Sequence, residues 1–181
     1  ATKYFGDIPK SPAPPPVLVP ETEQKTERRE KLTAESQPMI AIGYKRPNQR
    51  DPMDPVLDVI DGILSSGRTG MLYKDLVRDR QIALGVQAAA TFPSGKYPNL
   101  FVFFGFPNAG HTVQELEQGI YADIDKLKNE KVDEETLKRV KTKIRAGLIR
   151  QLDSNPGLAQ QLPANAVSYG DWRYMFKGID E

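Results

Sequence analysis

A chain of 181 residues can bury roughly 70% of its unfolded surface in one domain. Its 25 Lys and Arg against 24 Asp and Glu leave a net charge of +1, so no global field draws it to nucleic acid or a membrane. With no cysteine, disulfides and thiolate metal sites are excluded, cytoplasm and periplasm both stay open, and no apolar run reaches membrane-spanning length.

The N-terminus, Ala1-Thr-Lys-Tyr-Phe-Gly6, carries neither an initiator Met nor a signal peptide and is expected to be a cut end. Residues 1–26 read as a linker. Ser11-Pro-Ala-Pro-Pro-Pro16 forces extended backbone without donors, and Glu21 to Glu30 is charged and almost free of apolar side chains. Residues 27–181 then form the domain. Arg28–Thr33 and Met39–Tyr44 read as two strands around Ala34-Glu-Ser-Gln37, the second apolar enough to lie inside a sheet. Asp54-Pro55 opens a helix with a cap and a proline at its first position, and Val56, Leu57, Ile60, Ile63 and Leu64 give it a buried face.

Gly67 stands where a helix end wants a left-handed residue, and Thr69 is placed to cap the next helix, whose stripe is Met71, Leu72, Leu76 and Val77. From Ile82 the pattern changes to alternation: Ile82, Leu84, Val86, Ala88, Ala90 and Phe92 mark one side of a strand. Ser94-Gly-Lys96 and Pro98-Asn99 turn the chain into Leu100–Phe104, apolar on both faces and hence central. Thr112 to Glu115 is a capping box opening a helix with Val113, Leu116, Ile120, Ile124 and Leu127 inside. Asp133 caps another, with Leu137, Val140, Ile144, Leu148 and Leu152 inward. Asn155-Pro-Gly157 breaks it, and Leu158–Tyr169 forms a last, less regular helix. The order ββαα-ββ-ααα is an α+β fold, a mostly antiparallel sheet covered on one face by the helices bearing Ile60, Leu116 and Ile144.

Catalytic chemistry is hard to place on this chain. A hydrolytic zinc needs about three protein ligands and a water, and the single histidine, His111, allows neither H-E-x-x-H nor its inverse H-x-x-E-H. His111 and Glu115 are four apart, but His111 precedes the Thr112 cap and so lies off the helix face. No G-x-S-x-G elbow or phosphate loop occurs, and Ser65-Ser66 read as a helix terminus. Lys138, Arg139, Lys141, Lys143, Arg145 and Arg150 make one helix basic. Without interleaved aromatics to stack bases, it reads as a solvated face rather than a nucleic-acid site.

A family pattern overlies these elements. Ile63-Leu-Ser-Ser-Gly-Arg-Thr69, Leu72-Tyr73, Leu76-Val77 and Gln81-Ile-Ala83 resemble the C-terminal domain of pitrilysin-type zinc metallopeptidases, which include insulin-degrading enzymes and mitochondrial processing peptidases. Tyr4-Phe-Gly-Asp-Ile-Pro9 resembles that family's inter-domain linker, and Tyr169-Gly-Asp-Trp172 a late helical segment. The resemblance implies a non-catalytic half that encloses peptide substrates in a clamshell, with H-x-x-E-H and zinc in a homologous partner half and no cofactor on this chain. It also implies a runner-up, an inactive structural subunit. Outside the family, a free-standing binding module with a basic helix is the alternative.

In complete relatives this half resembles L-R-x-x-x-x-L-x-Y near the second helix, its Arg and Tyr reaching across to substrate. Here Val77 takes the Arg position and Leu84 the Tyr position, or, one residue on, Arg78 and Gly85, and Gly70-Met71 replaces a preceding Ser-Arg pair. No transition-state group is expected from this domain, and Arg78 and Arg80 remain as candidate contacts to the chamber or partner. The chain stops at Gly178-Ile-Asp-Glu181, where the family continues into one more helix and a closing strand. An open sheet edge and a homo-oligomer through it are therefore expected.

Overall fold

The computed structural model describes residues 2–9, 11–12, 15, 22–174 and 176. The chain divides into two units, residues 1–33 and 34–181. The first holds one helical turn, α1 (Thr2–Phe5), and otherwise exposed backbone without regular structure at Ser11, Pro12 and Pro15. Most of the proline run lies outside the described residues, as does the end of the chain.

In the second unit the sheet has three strands, β1 (Ile40–Arg46), β2 (Ala83–Phe92) and β3 (Asn99–Pro107), in the order β1-β3-β2 and antiparallel throughout. β3 is central, as its two-sided apolar sequence requires: Phe103 stands opposite Ile42 on one side and Ala88 on the other. The expected strand at Arg28–Thr33 is absent, and residues 22–39 carry no strand. Its physical reason is plain. The stretch offers one large apolar side chain, Leu32, which is 91% exposed, so nothing draws it onto a core.

The helices are α2 (Asp54–Ser65), a π-helix (Tyr73–Asp79), α3 (Val113–Asn129), α4 (Glu134–Leu152) and α5 (Asn155–Tyr169). Phe101 and Phe103 share one core with Leu64, Leu72, Leu76, Leu116 and Ile120, so these helices cover one face of the sheet. α4 packs chiefly on α2 and forms an outer layer, with Val140 against Gly62, rather than reaching the sheet through Ile144. By alternation Leu100, Val102, Phe104 and Phe106 look the other way. That opposite face has a buried centre at Val102 and open flanks: Phe92 stacks edge-on to Phe104 at 5.4 Å yet is 41% exposed.

Several local expectations hold and several shift by a residue or a role. The Thr112–Glu115 capping box is complete, and Asp133 accepts from Thr136 N. Gly67, just past α2, has φ +60, the left-handed region where a Cβ is strained. Asp54, however, lies inside α2, because its carboxylate pairs with Arg46; Asp51 Oδ1 instead accepts Met53 N at 2.9 Å. Thr69 caps nothing and donates to Ser66 O in a 3-10 turn. Asn155-Pro-Gly157 does not break α4 but forms the first turn of α5, capped by Ser154, with the break at Asp153. The alternation of β2 also slips: a bulge between Ala83 and Gly85 leaves Ala83 buried and Leu84 61% exposed.

Candidate functional site

His111 occupies the turn before α3, with Nδ1 3.5 Å from Glu115 Oε2. That oxygen already accepts Thr112 N at 2.7 Å, and this hydrogen bond, first among several causes, holds the Glu115 carboxyl below its usual range. The carboxylate is thus engaged by the helix cap, while His111 Nδ1 is buried without a hydrogen-bond partner. Among the described residues no group of three or more His, Cys, Asp or Glu side chains is placed to hold a metal ion. The donor set does not fit a hydrolytic zinc.

Arg78 and Arg80 lie at the end of the π-helix, whose wide turns are closed by bonds such as Arg80 N to Asp75 O at 2.9 Å, five residues back. Arg78 pairs with the neighbouring Asp79 at 2.6 Å, and Arg80 with Asp75 at 3.3 Å. Both guanidiniums are about half exposed and line a groove of about 700 Å³ between the π-helix, the C-terminal half of α3 and the start of α4.

The floor of this groove is a residue the sequence reading missed. Asp123 is 5% exposed, and its Oδ2 is buried without a hydrogen-bond partner. Gly119, one turn earlier on α3, lets the π-helix approach: a Cβ there would come within 2.6 Å of Leu76 Cδ2 and 3.3 Å of Arg80 Nη1. Burial pushes the Asp123 carboxyl up to about 6, Asp75 adds to the rise, and Lys126 and Arg80 oppose it. An Asp in an amphipathic helix is ordinarily read as solvated, so only its spacing of seven from Leu116, which puts it on the inner side, hinted otherwise.

An acid whose folded-state pKa is raised binds its proton more tightly in the folded state, so folding is favoured below the unfolded pKa near 4 and loses stability as pH climbs through about 6. Asp123→Asn is therefore expected to stabilise the domain at pH 7.5, by about 1 kcal/mol after allowance for the open groove, and to bring no gain at pH 4. Urea melts of both proteins at the two pH values check this; equal midpoint shifts at both would contradict it.

The profile of the peptidase M16 inactive domain matches residues 1–144. The chain belongs to this family. It is the pitrilysin type expected from the 63–83 pattern, and the match covers the N-terminal segment, the sheet and the helices up to the middle of α4. Zinc protease PqqE of Helicobacter pylori (strain ATCC 700392 / 26695) is 26% identical over 120 residues, 66% of this chain and 27% of that protein. The chain thus spans about a quarter of that relative's length. A crystal structure of a protease from Helicobacter pylori superposes with TM-score 0.70 at 23% identity, covering 79% of this chain and 35% of the other. An inactive peptidase domain from Bordetella parapertussis superposes with TM-score 0.67 at 24% identity, covering 82% and 79%. At these identities the structural likeness is one of fold.

Val77 packs against the core from the π-helix, and Leu84 stands exposed at the β2 bulge. The basic residues of α4 are exposed along it: Lys143 donates to Ser66 Oγ at 2.8 Å, and from Thr136 to Leu152 there is no acid among them. No helix among the described residues is long and apolar enough to cross a membrane.

Proposed function

We propose that this domain is the non-catalytic half of a zinc endopeptidase, closing one wall of a clamshell around unfolded peptides while a homologous half, on the same chain or another, carries the metal. The observation that carries this is the match to the M16 inactive-domain family, taken with a sequence that offers a single histidine. The domain's contribution is shape and surface: an open sheet face with Leu100, Phe104, Phe106 and Phe92, and the charged groove with Arg78 and Arg80 as contacts to substrate or partner.

The test is reconstitution. Purified chain, given zinc and an unstructured peptide, is expected to show no cleavage; adding the zinc-bearing half is expected to produce chelator-sensitive cleavage. Stoichiometric zinc and cleavage by this chain alone would refute the reading. In the reconstituted enzyme, Arg78→Ala with Arg80→Ala is expected to raise KM several-fold and leave the zinc content unchanged.

A further inference from the structure

The acids of α4 are confined to its first turn, Glu134 and Glu135, after the Asp133 cap; beyond them the helix carries six cations and no acid. They are not spread as a solvated helix spreads its charge. Arg139 and Lys143, and Lys141 and Arg145, stand four apart as like-charged neighbours, an arrangement that weakens a helix. Among the described residues none of the six lies in a salt bridge: Arg139 donates to Thr136 Oγ1 at 3.3 Å and Lys143 to Ser66 Oγ at 2.8 Å. The chain has 25 cationic residues in all, so the other 19 face its 24 acids, and a nearly neutral molecule gathers its positive charge on this helix.

Side chains four apart line up in rows along a helix, and a groove runs between neighbouring rows. Lys138, Thr142, Ala146 and Arg150 form one row of α4; Glu135, Arg139, Lys143 and Gly147 form the next. All of these but Gly147 line a shallow trough of about 460 Å³. Its middle is low because the residues there are small. The Thr142 hydroxyl donates to Lys138 O at 2.7 Å, Ala146 has only a methyl, and Gly147 has no side chain. Glycine inside a helix is destabilising, and a close neighbour can require it: a Cβ at Gly62 would meet Val140 Cγ1 at 2.5 Å. At Gly147 nothing among the described residues stands within 4 Å of that position, so the chain's own packing gives no reason for the glycine.

Charge alone would suit any polyanion, but the shape of the face is selective. A membrane surface calls for large apolar side chains beside the cations, and Ile149 is the single one exposed on α4. A nucleic-acid strand calls for aromatics that stack bases, and α4 has none. An acidic helix uses both features: a row of small apolar side chains fits between two rows, and carboxylates beside it reach the flanking cations. We propose that the outward face of α4 docks an acidic amphipathic helix of another protein, its apolar row over Thr142, Ala146 and Gly147. Carboxylates on its two sides meet Arg139 and Lys143 on one flank and Lys141 and Arg145 on the other. Glu135 marks where the acidic stretch of that helix ends. α4 belongs to the outer layer of helices, and nothing here depends on the zinc-bearing half.

The experiment is an NMR titration of the ¹⁵N-labelled chain with a stapled helical peptide, about four turns long, whose Ala and Leu row is flanked on both sides by Glu. Parallel arms use a stapled peptide of the same composition with the rows scrambled, a double-stranded oligonucleotide, and vesicles of phosphatidylglycerol. Saturable shifts of the amides of residues 138–150 are expected with the first peptide, and about tenfold weaker binding with the scrambled one. Arg139→Ala with Arg150→Ala should weaken binding about tenfold, while Lys126→Ala with Lys128→Ala, an equal loss of charge on α3, should bind like the parent. Ala146→Gln with Gly147→Ala keeps every charge and fills the groove; it should melt no lower than the parent and bind about tenfold more weakly. Each variant is compared through its amide spectrum outside α4, so that loss of binding is separated from loss of fold. Absence of saturation, equal binding of the scrambled peptide, indifference to the arginine or the groove-filling variant, or an equal loss in the α3 control would overturn the proposal. Tighter binding of the oligonucleotide or the vesicles would also overturn it. So would concentration-dependent shifts of the same amides without peptide, since a second copy of the chain would then be the occupant.

Discussion

Phe103→Ala is expected to cost about 3–5 kcal/mol and to lower Tm by roughly 10 °C or more. Its ring is 3% exposed and sits on the central strand between Ile42 and Ala88, tilted against Phe101 at 5.4 Å and edge-on to Tyr44 at 6.2 Å. It belongs to the same cluster as Leu64, Leu116 and Ile120, so removing it leaves a cavity that strands and helices can only partly close. Since domains of this size are stable by about 5–15 kcal/mol, the variant keeps little reserve. Phe104 is the internal control. One residue along, it faces away from the helices and meets Phe92 at 5.4 Å, half-buried, so Phe104→Ala is expected to cost only about 1–2 kcal/mol. Guanidinium melts of the two variants decide it, and equal losses would mean that the sheet is buried alike on both faces.

That contrast marks where the sequence could be read and where it could not. Local signals survived: the Thr112–Glu115 capping box, the Asp133 cap, the left-handed Gly67 and the two-sided apolar run of β3 depend on neighbours a few residues away. The family pattern at 63–83 placed the chain in the M16 inactive domain for the same reason, since its landmarks are a helix end, a helix stripe and a strand start. What failed depends on distant partners. Asp54 has the composition of a cap, yet Arg46 claims its carboxylate from the end of β1. Leu84 alternates correctly with Val86 in sequence, but one bulge residue turns it to solvent. The π-helix uses a stripe that an α-helix would use as well, so periodicity over a few residues cannot separate them. Asp123 and Arg46 are charged side chains at buried positions. Only the arrangement of three elements around each makes that burial tolerable, or leaves it unpaid.

Arg46→Ala is expected to be among the most damaging single changes outside the aromatic core, at about 3–5 kcal/mol. The side chain is nearly sealed, at 3% exposure, at the end of β1. Nε donates to Pro47 O at 3.2 Å, Nη1 to Ala90 O and to Thr91 Oγ1, the latter at 3.2 Å, and Nη2 to Asp54 Oδ1. One planar fork thus ties β1, the end of β2 and the first turn of α2, a geometry that lysine, with its single ammonium, cannot copy. Deleting it leaves the Asp54 carboxylate, 15% exposed, without its cation and Ala90 O without a donor. The loss is mostly the penalty of the stranded charge rather than the worth of the pair, and this distinction is measurable. Arg46→Met combined with Asp54→Leu removes both charges and fills the space with apolar atoms, so the double variant should recover at least half of what Arg46→Met alone loses. Chemical melts of the two single variants and the double variant at pH 7 complete the cycle. If the double variant loses the sum of the two single losses, the pair is uncoupled and the three elements are held together by packing alone.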